Sequence, residues 1–521
     1  MKSKLFCSIA TGLSGAAAVA AQTADRPNII LFMVDDMGWQ DTSVPFHSDT
    51  TLLNRRYHTP NMQRLADIGT RFSSAYACSI SSPTRCSLMT GMNQARHRVT
   101  NWTFELNTST DEPNPNLIMP DWNYNGIQPD SSVNNSATGT SFVQLLHDAG
   151  YHTIHVGKAH FGATHTPAEN PLNYGFDVNI AGHAGGGPAS YLGERCFGYN
   201  PDGTKWHEKF AVPGLEKYWQ TDTFLTEALT LEAINALDSA RTLSQPFYLY
   251  LAHYAIHVPL DKDSRFYDRY RSEGLDDTEA RYAALIEGMD KSLGDILDYL
   301  TEHDMLRNTI VIFMSDNGGV CYQGSRGEVP GGRHNAPLRG GKGSVYEGGT
   351  REPMIVYWPG HTTPGTTVND YLIIEDFFPS ILEMAGIDNY SVPQTVDGKS
   401  FVPLINSSSD TVTQTRALVW NTPHTWLPVS FEQHGQGYGQ TCAIRRGDYK
   451  LVYFYSDGKK ELYNLADDIG ENHNLASAMP DMVGELSRML GQYLRSVDAQ
   501  RPSFRDTMKP CPWPDEPWPQ R

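Results

Sequence analysis

The sequence predicts an α/β fold with a mostly parallel sheet, because short apolar runs alternate along the chain with patterns typical of helices. Strands are predicted at residues 29–34, 151–156, 247–251, 310–314 and 354–358. Residues 29–34 are almost continuously apolar, which is typical of a strand covered on both faces. We therefore expect a sheet flanked by helices.

Helices are predicted where apolar residues recur at helical spacing. One begins at Pro60, a residue type suited to the first turn of a helix, and ends at Gly69. Longer helices are predicted over residues 223–241 and 277–306. Their alternation with the predicted strands is the pattern of a parallel sheet with helical connections.

The pattern of the chain changes after residue 398 and becomes rich in strands. Short strand patterns at residues 417–420, 441–445, 449–455 and 461–465 precede a helix pattern at 480–497. We predict a main domain at residues 22–410, a smaller C-terminal α+β subdomain with an antiparallel sheet at 411–505, and a tail at 506–521.

The N-terminus has the pattern of an export signal. Two lysines precede a stretch of apolar and small residues, and a cleavage pattern ends at Ala20. We expect residues 1–21 to be removed near Ala20 or Ala21 and the protein to be periplasmic or secreted. No later run approaches the roughly 20 apolar residues that span a bilayer, so no membrane span is expected.

The charge of the chain limits its partners. Its 521 residues include 41 Lys and Arg against 59 Asp and Glu, a formal net charge of −18. This sign argues against nucleic acid or an anionic membrane as a partner. The cysteines are scattered without the paired spacing of zinc sites. An anionic ligand would have to be attracted locally, by a basic pocket.

Polar residues directly follow all of the predicted strands except the last. The clusters are Asp35-Asp36, Gly157-Lys158-Ala159-His160, His253 to His257 and Ser315-Asp316-Asn317. In open α/β sheets, ligands bind outside the carboxyl ends of the strands. Core packing does not require polar groups at these ends, so we predict that they form one active site.

Two of these clusters form an oxygen-rich donor set: Asp35, Asp36, Asp316 and Asn317. Adjacent aspartates repel each other unless a cation or several donors compensate. An all-oxygen set suits Ca²⁺ or Mg²⁺ better than zinc. Capping of turns or helices is the alternative use of Asp and Asn at these positions.

The segment from Ser81 to Gly91 has the pattern of a short helix, with Pro83 in the first turn and Gly91 at the end. Ser81 would lie at the helix N-terminus, near free backbone N–H groups. Arg85 would return to the same face one turn later. These groups suit a tetrahedral oxyanion, and an ordinary serine cap is the alternative.

The order of Ser81, Pro83, Arg85 and the closing Thr90-Gly91 resembles the signature of the type I sulfatases. The resemblance implies an alkaline-phosphatase-like fold, with residues 22–410 as the catalytic domain. It also implies that a maturation enzyme oxidises Ser81 to formylglycine, the catalytic nucleophile, as in the serine-type branch of the family. The motifs of the resemblance run in the family's order over roughly residues 27–500.

The same resemblance implies a metal site. In the family, the residues that match Asp35, Asp36, Asp316 and Asn317 bind one divalent cation, usually calcium. Modified Ser81 would complete the shell. We therefore expect one Ca²⁺ in the chain, with Mg²⁺ as the less favoured ion.

The resemblance further assigns catalytic roles. Gly157-Lys158-Ala159-His160 is similar to the family's Gly-Lys-x-His, with alanine in place of an aromatic residue. His160 would be the base that releases sulfate, and His257 would protonate the leaving oxygen. Lys342, in a glycine-rich loop, would bind sulfate. Arg85 and Lys158 would stabilise charge on the transferring group.

The sequence favours sulfate ester hydrolysis, most simply exo-type desulfation of a sulfated carbohydrate such as galactose or N-acetylgalactosamine sulfate. A phosphatase or phosphonate hydrolase of the same superfamily is one alternative, although such enzymes often bind two metals. An unmodified glycan-binding protein is another. Candidate substrate contacts are His183, Tyr191, Arg195, Trp206, Arg326, Arg333, His334, His424 and Trp426.

Overall fold

The computed structural model describes residues 26–321, 327, 334–405, 415–427 and 438–519. The predicted export signal, residues 1–21, lies outside the described residues. Within the described part of the chain, no helix combines the length and the apolar character that crossing a bilayer requires.

The strands form one large sheet, one smaller antiparallel sheet and two short pairs. The strands are β1 (Asn28–Val34), β2 (Thr70–Tyr76), β3 (Leu117–Ile118), β4 (Ile127–Gln128), β5 (Ala137–Thr138), β6 (His152–Gly157), β7 (Val178–Ile180), β8 (Phe247–Ala252), β9 (Thr309–Ser315), β10 (Arg351–Tyr357), β11 (Thr366–Val368), β12 (Leu372–Ile373), β13 (Ala417–Thr422), β14 (Thr441–Arg446), β15 (Tyr449–Phe454), β16 (Lys460–Asn464) and β17 (Ser503–Phe504). The large sheet has the order β11-β2-β10-β9-β1-β8-β6-β7, and β12 also pairs with β2.

Most neighbours in the large sheet run parallel, and β10 is the exception. β1 pairs parallel with β8 and β9, whereas β10 pairs antiparallel with β9 and β2. The carboxyl ends of the parallel strands therefore meet at one edge of the sheet, and β10 begins at that edge. This direction explains why the strand predicted at residues 354–358 is not followed by a polar cluster.

Helices cover both faces of the large sheet. The α-helices of the described chain are α1 (Leu52–Arg56), α2 (Pro60–Ile68), α3 (Ser81–Thr90), α4 (Gln94–His97), α5 (Phe142–Asp148), α6 (Leu225–Ala240), α7 (Tyr267–Ser272), α8 (Asp277–Glu302), α9 (Glu347–Thr350), α10 (Phe377–Met384) and α11 (Pro480–Ser496). Buried side chains of α3, α5 and α10 share one core, and those of α2, α6 and α8 share the other. The prediction of an α/β fold flanked by helices is confirmed.

The strand β1 shows why its sequence is continuously apolar. Leu31 and Met33 belong to the core that contains α3, whereas Ile30 and Phe32 belong to the core that contains α8. All of these side chains are fully buried. Because both faces of β1 are covered, its side chains alternate between two apolar cores instead of between core and solvent.

The smaller sheet, β13-β14-β15-β16, lies between α11 and the main core, by which we mean the core that contains α3, α5 and α10. Trp420 and Val452 contact the main core, whereas Ile444 and Leu451 belong to the core that α11 covers. The Nε1 atom of Trp420 donates to the carbonyl of Ala77 at 2.9 Å. The sheet thus supports the segment that leads into α3. The predicted boundary at residues 410 and 411 lies outside the described residues, so the domain limits stay a prediction.

Two elements differ from the sequence-based expectations. The sequence reasoning missed β2, because Thr70–Tyr76 is interrupted by Arg71, Ser73 and Ser74 and does not read as an apolar run. The helix expected over 277–306 is too long, since α8 ends at Glu302. Asp304 then adopts a φ of 58°, a left-handed conformation that a continuing helix does not allow.

Glu375 is a buried carboxyl group with few partners. Its Oε1 accepts a hydrogen bond from Asn93 Nδ2 at 2.8 Å, and its Oε2 has no partner in the described structure. Burial, with a further contribution from the Asp376 carboxylate, raises the pKa of Glu375 to about 8 from an ordinary value of 4.5. Between these values the folded protein keeps a proton that the unfolded chain releases.

We predict that Glu375 makes the protein less stable as the pH rises from about 4.5 to about 8. Glu375→Gln should remove this loss. As the pH rises through that range, the unfolding free energy of the variant relative to that of wild type should increase by on the order of a few kcal/mol. Thermal unfolding midpoints measured at a series of pH values test this. Glu383→Gln, an exposed site on α10, is the matched control. Parallel pH profiles for wild type and Glu375→Gln would contradict the prediction.

Candidate active site

The carboxylate cluster predicted from the sequence forms at the ends of β1 and β9. These strands pair in parallel register over their length, so the residues that follow them emerge side by side. Carboxylate oxygens of Asp35, Asp36 and Asp316 lie within 4.8 Å of one another, and all three residues are buried. Asn317 Nδ2 donates to Asp36 Oδ1 at 2.8 Å. The four predicted oxygen donors are therefore adjacent.

Ser81 is the first residue of α3 and faces this cluster. Its Oγ lies 3.2 Å from Asp35 Oδ1 and 3.1 Å from Asn317 Oδ1. The N-cap position belongs to Ile80, and the helix ends at Gly91 with a φ of 69°. The alternative of an ordinary serine cap is therefore wrong, because the Ser81 side chain turns away from its own helix.

Arg85 is fully buried one turn after Ser81. Its Nε and Nη2 donate to Asp316 Oδ2 at 3.0 and 2.8 Å. Its Nη1 donates to the carbonyl of Lys158 at 3.0 Å and to the Tyr250 hydroxyl at 3.1 Å. The guanidinium thus fixes Asp316 and the Lys158 backbone in place. The sequence reasoning missed Tyr250, which lies within the apolar β8 and gives no polar signal there.

Lys158 and Lys342 reach the cluster from two different parts of the chain, the turn after β6 and the glycine-rich loop. Lys158, directly after β6, donates from Nζ to Asp35 Oδ2 at 2.6 Å and to Ser81 Oγ at 3.0 Å. Lys342 Nζ lies 2.7 Å from Asp36 Oδ1. Each lysine therefore pairs with one aspartate of the cluster, and Lys158 also contacts the proposed nucleophile position.

The glycine-rich loop places Lys342 close to α3. The backbone N–H of Gly343 donates to the carbonyl of Ser79 at 2.7 Å. Gly343 has a φ of +87°, and a Cβ there would lie 2.0 Å from Trp426 Cε3. Glycine is required at this position because both the backbone conformation and the contact with Trp426 exclude a side chain.

Burial and nearby charges shift the pKa values of the three carboxyl groups in the cluster. Burial and the neighbouring Asp316 raise the pKa of Asp35 to about 8. Burial would also raise the pKa of Asp36, but Lys342, His257 and Lys158 together outweigh burial and lower that pKa. In the same way, Arg85, Lys158 and Lys342 together lower the pKa of buried Asp316. A divalent cation would favour the ionised form of all three carboxylates.

His160 lies beside Ser81 but bonds to other groups. Its Nε2 is 3.0 Å from the Thr103 carbonyl and 3.0 Å from Ser82 Oγ. Because a carbonyl can only accept, Nε2 carries the proton, and the other ring nitrogen, Nδ1, has no partner in the described structure. Burial, Lys158 and Arg85 lower the pKa of His160 well below its ordinary value. His160 is therefore a neutral imidazole with a free basic Nδ1.

In His257 the nitrogen that carries the proton is Nδ1, whereas in His160 it is Nε2. Its Nδ1 donates to the Val258 carbonyl at 2.8 Å, which leaves Nε2 facing Asp36 Oδ2 at 3.8 Å. Burial and the Lys342 ammonium lower the pKa of His257 to about 3. The Nε2 lone pair is thus directed toward the floor of the site.

A cleft of about 300 Å³ opens above these residues. Its floor contains Asp36, Ser81, His160, His257 and Lys342. Its walls are formed by Ile80, Trp102, Glu112, Gly186, Gly187, Phe210, Val258, Val320, Trp426 and Leu427. Among the wall residues, the sequence reasoning named only Trp426, since most of the others lie in loops without a recognisable motif.

The structure brings few of the predicted substrate contacts to the cleft. Arg195 lies 4.3 Å from the ring centroid of Trp206, and neither residue lines the cleft. Tyr191 is fully buried, and its hydroxyl donates to the carbonyls of Tyr254 and His257 at 2.6 and 2.8 Å. Tyr191 thus supports the turn that carries His257.

The remaining predicted contacts have other partners or lie outside the described residues. His183 Nδ1 accepts from the Gly185 N–H at 3.0 Å, and His334 Nε2 donates to the Gly327 carbonyl at 2.8 Å. His424 Nδ1 lies 2.9 Å from Asp111 Oδ1, in the wall next to the cleft. Arg326 and Arg333 lie outside the described residues.

Two models of known protein families match this chain. The family model described as Sulfatase matches residues 27–387. The chain belongs to the sulfatase family. A second model, described as N-sulphoglucosamine sulphohydrolase, C-terminal, matches residues 341–500 of the sulfatase. The predictions of the fold, of the sulfatase family and of a sulfuric ester hydrolase are thereby confirmed.

Individual relatives cover nearly the whole sulfatase. A protein named "Sulfatase" from Formosa agariphila is 30% identical, over 94% of this chain and 92% of its own. The N-acetylgalactosamine-6-sulfatase of Homo sapiens is 27% identical, over 95% of this chain and 90% of its own. A crystal structure of Ps i-CgsB in complex with k-i-k-neocarrahexaose is 26% identical with a TM-score of 0.69, over 90% of this chain and 93% of that one.

We predict that Lys342→Ala lowers kcat/KM for an aryl sulfate by about 10²–10³-fold, because it removes a fixed positive charge from the floor of the cleft. Lys291→Ala, which removes an exposed lysine from α8, should leave kcat/KM within about twofold of wild type. Steady-state kinetics of both variants test this. Equal activities of the two variants would contradict the placement of Lys342 at the reacting group.

Proposed function

We propose that this sulfatase hydrolyses sulfate esters of a glycan by exo-type desulfation, with Ser81 oxidised to formylglycine and one Ca²⁺ bound beside it. The contact of Ser81 Oγ with Asp35, Asn317 and Lys158 carries the proposal. Ser81 lies between two oxygen atoms that can bind a cation and one ammonium group, which is a suitable position for a nucleophile. Its side chain does not cap its own helix. Oxidation of Ser81 would require a maturation enzyme.

The donor set fits a single hard cation. Asp35, Asp36, Asp316 and Asn317 offer only oxygen ligands, and burial together with the nearby Asp316 carboxylate raises the pKa of Asp35, an effect that a bound cation would oppose. Calcium accepts flexible carboxylate and amide coordination more readily than Mg²⁺ does, which favours Ca²⁺. When bound, the cation would polarise the sulfate oxygens and stabilise negative charge on position 81.

The other residues divide the chemistry between them. Formylglycine would supply, as its hydrate, two hydroxyls on one carbon, one to attack sulfur and one to expel sulfate afterwards. Lys158 and Lys342 would neutralise charge on the transferring group, and Arg85 would hold Asp316 and Lys158 in place. Because Nε2 of His257 carries no proton here, His257 would first take up at Nε2 the proton that the attacking hydroxyl releases, and would then give it to the leaving oxygen. His160 would take a proton at Nδ1 during sulfate release.

The proposed substrate is a sulfated sugar that carries galactose sulfate or N-acetylgalactosamine sulfate. The human relative is named for N-acetylgalactosamine 6-sulfate, and Ps i-CgsB was crystallised with a neocarrahexaose. The aromatic walls of the cleft, including Trp102 and Trp426, suit the apolar faces of a sugar ring. The predicted export signal would bring the enzyme to such substrates outside the cytoplasm.

We predict that the peptide containing Ser81, from protein produced together with a formylglycine-generating enzyme, is lighter than the encoded peptide by the mass of two hydrogen atoms. Mass spectrometry of a digest measures this shift. The Ser81→Ala variant, expressed in the same way, should show neither the shift nor aryl sulfatase activity. Fully active protein that contains only unmodified serine would contradict the proposed nucleophile.

We also predict that removal of divalent cations abolishes activity and lowers the thermal unfolding midpoint, because the buried carboxylates then repel one another. Treatment with a chelator followed by addition of Ca²⁺ or Mg²⁺ tests this, and Ca²⁺ should restore activity at the lower concentration. The Asp36→Asn variant should need more Ca²⁺ than wild type. Full activity in the chelated protein would contradict a metal site at this cluster.

A further inference from the structure

The cleft contains an acidic residue that the reaction does not use. Glu112 lines the wall, above a floor that already balances its own charges. In the floor, Arg85 pairs with Asp316, Lys158 with Asp35, and Lys342 with Asp36. Within the described residues, the half-buried Glu112 side chain has neither a hydrogen bond nor an ion pair. An additional carboxylate here opposes the binding of an anionic substrate, so its presence calls for an explanation.

The backbone around Glu112 is fixed by hydrogen bonds. The Glu112 N–H donates to the Thr425 carbonyl at 2.9 Å. The preceding residue, Asp111, accepts from Asn101 Nδ2 at 2.9 Å and from Ser109 Oγ at 2.9 Å. His424 Nδ1 lies 2.9 Å from the same carboxylate. Glu112 is therefore held at the cleft by a rigid pair of loops.

The neighbours of Glu112 in the wall are largely apolar. Trp102, Phe210 and Trp426 line the same cleft, and the Thr110 hydroxyl bonds to the Trp102 carbonyl at 2.5 Å. A carboxylate beside aromatic rings is a common arrangement for binding a sugar, because the rings cover C–H groups and the carboxylate accepts from hydroxyls. A sulfate or carboxylate brought to the same place would meet a fixed negative charge in a partly desolvated cleft.

We propose that Glu112 determines which sugars the cleft accepts: its carboxylate accepts hydrogen bonds from hydroxyls of the sulfated sugar and excludes sugars that carry a second sulfate next to the scissile one. The proposal rests on the proposed function, since it concerns the same cleft. It makes the enzyme selective for monosulfated residues. The selectivity arises from repulsion of the second sulfate as well as from hydrogen bonds to the sugar hydroxyls. Specific sites commonly reject close analogues in this way.

The test compares two substrates, N-acetylgalactosamine 6-sulfate and N-acetylgalactosamine 4,6-disulfate, in wild type, Glu112→Gln and Glu112→Lys. The measured quantity is the ratio of kcat/KM for release of the 6-sulfate from the disulfate to that from the monosulfate. Glu112→Gln should raise this ratio by about tenfold or more, and Glu112→Lys should raise it further. The Gln variant keeps the size of the side chain, so the test does not depend on whether the Lys variant folds.

Glu105→Gln is the matched control, because Glu105 pairs with Lys209 at 3.0 Å and lies outside the cleft lining. Its ratio should equal that of wild type. An unchanged ratio in both Glu112 variants, with monosulfate activity present, would overturn the selectivity while leaving the sulfatase function intact. A wild-type enzyme, with position 81 modified, that released sulfate from neither sugar would instead contradict the proposed substrate and this inference with it.

Discussion

The balance of charge around three buried aspartates determines the arrangement of the active site. Asp35, Asp36 and Asp316 lie within 4.8 Å of one another in a region that solvent barely reaches. Such carboxylates persist in a folded protein only if cations and donors surround them. Lys158 and Lys342 supply part of that compensation, and the same contacts hold their ammonium groups where we propose that the transferring sulfate binds. Stability and chemistry therefore depend on the same ion pairs.

The sequence predicted the sheet well where burial on both faces left a clear pattern. Residues 29–34 and 310–314 are apolar because helices cover both sides, and their strands were predicted to within one residue at each end. β2 (Thr70–Tyr76) was missed because serines interrupt it, although it pairs with β10 inside the sheet. The direction of β10 was not predicted either. It depends on which neighbours the strand finds, and that is a property of the whole fold.

The floor of the site could also be predicted, because its residues follow a strand, begin a helix or, for Lys342, lie in a glycine-rich loop, each with a recognisable motif. The walls could not. Trp102, Glu112 and Phe210 belong to loops, and they reach the cleft only through tertiary contacts such as the bond between Glu112 N–H and the Thr425 carbonyl. A residue such as Arg195 looks suitable in sequence, yet it stacks on Trp206 away from the cleft. Local sequence carries no information about these long-range placements.

The floor of the cleft and the wall around Glu112 are held in place by different contacts. The floor is attached to the rigid centre of the fold, where Arg85 links α3 to β9 and to the turn after β6. The segment that carries Glu112 has contacts of its own, in which Asp111 bonds to Asn101 and His424. Because the Glu112 side chain bonds neither to Ser81 nor to the carboxylates, we expect its substitution to change the sugar that fits without moving Ser81 relative to them.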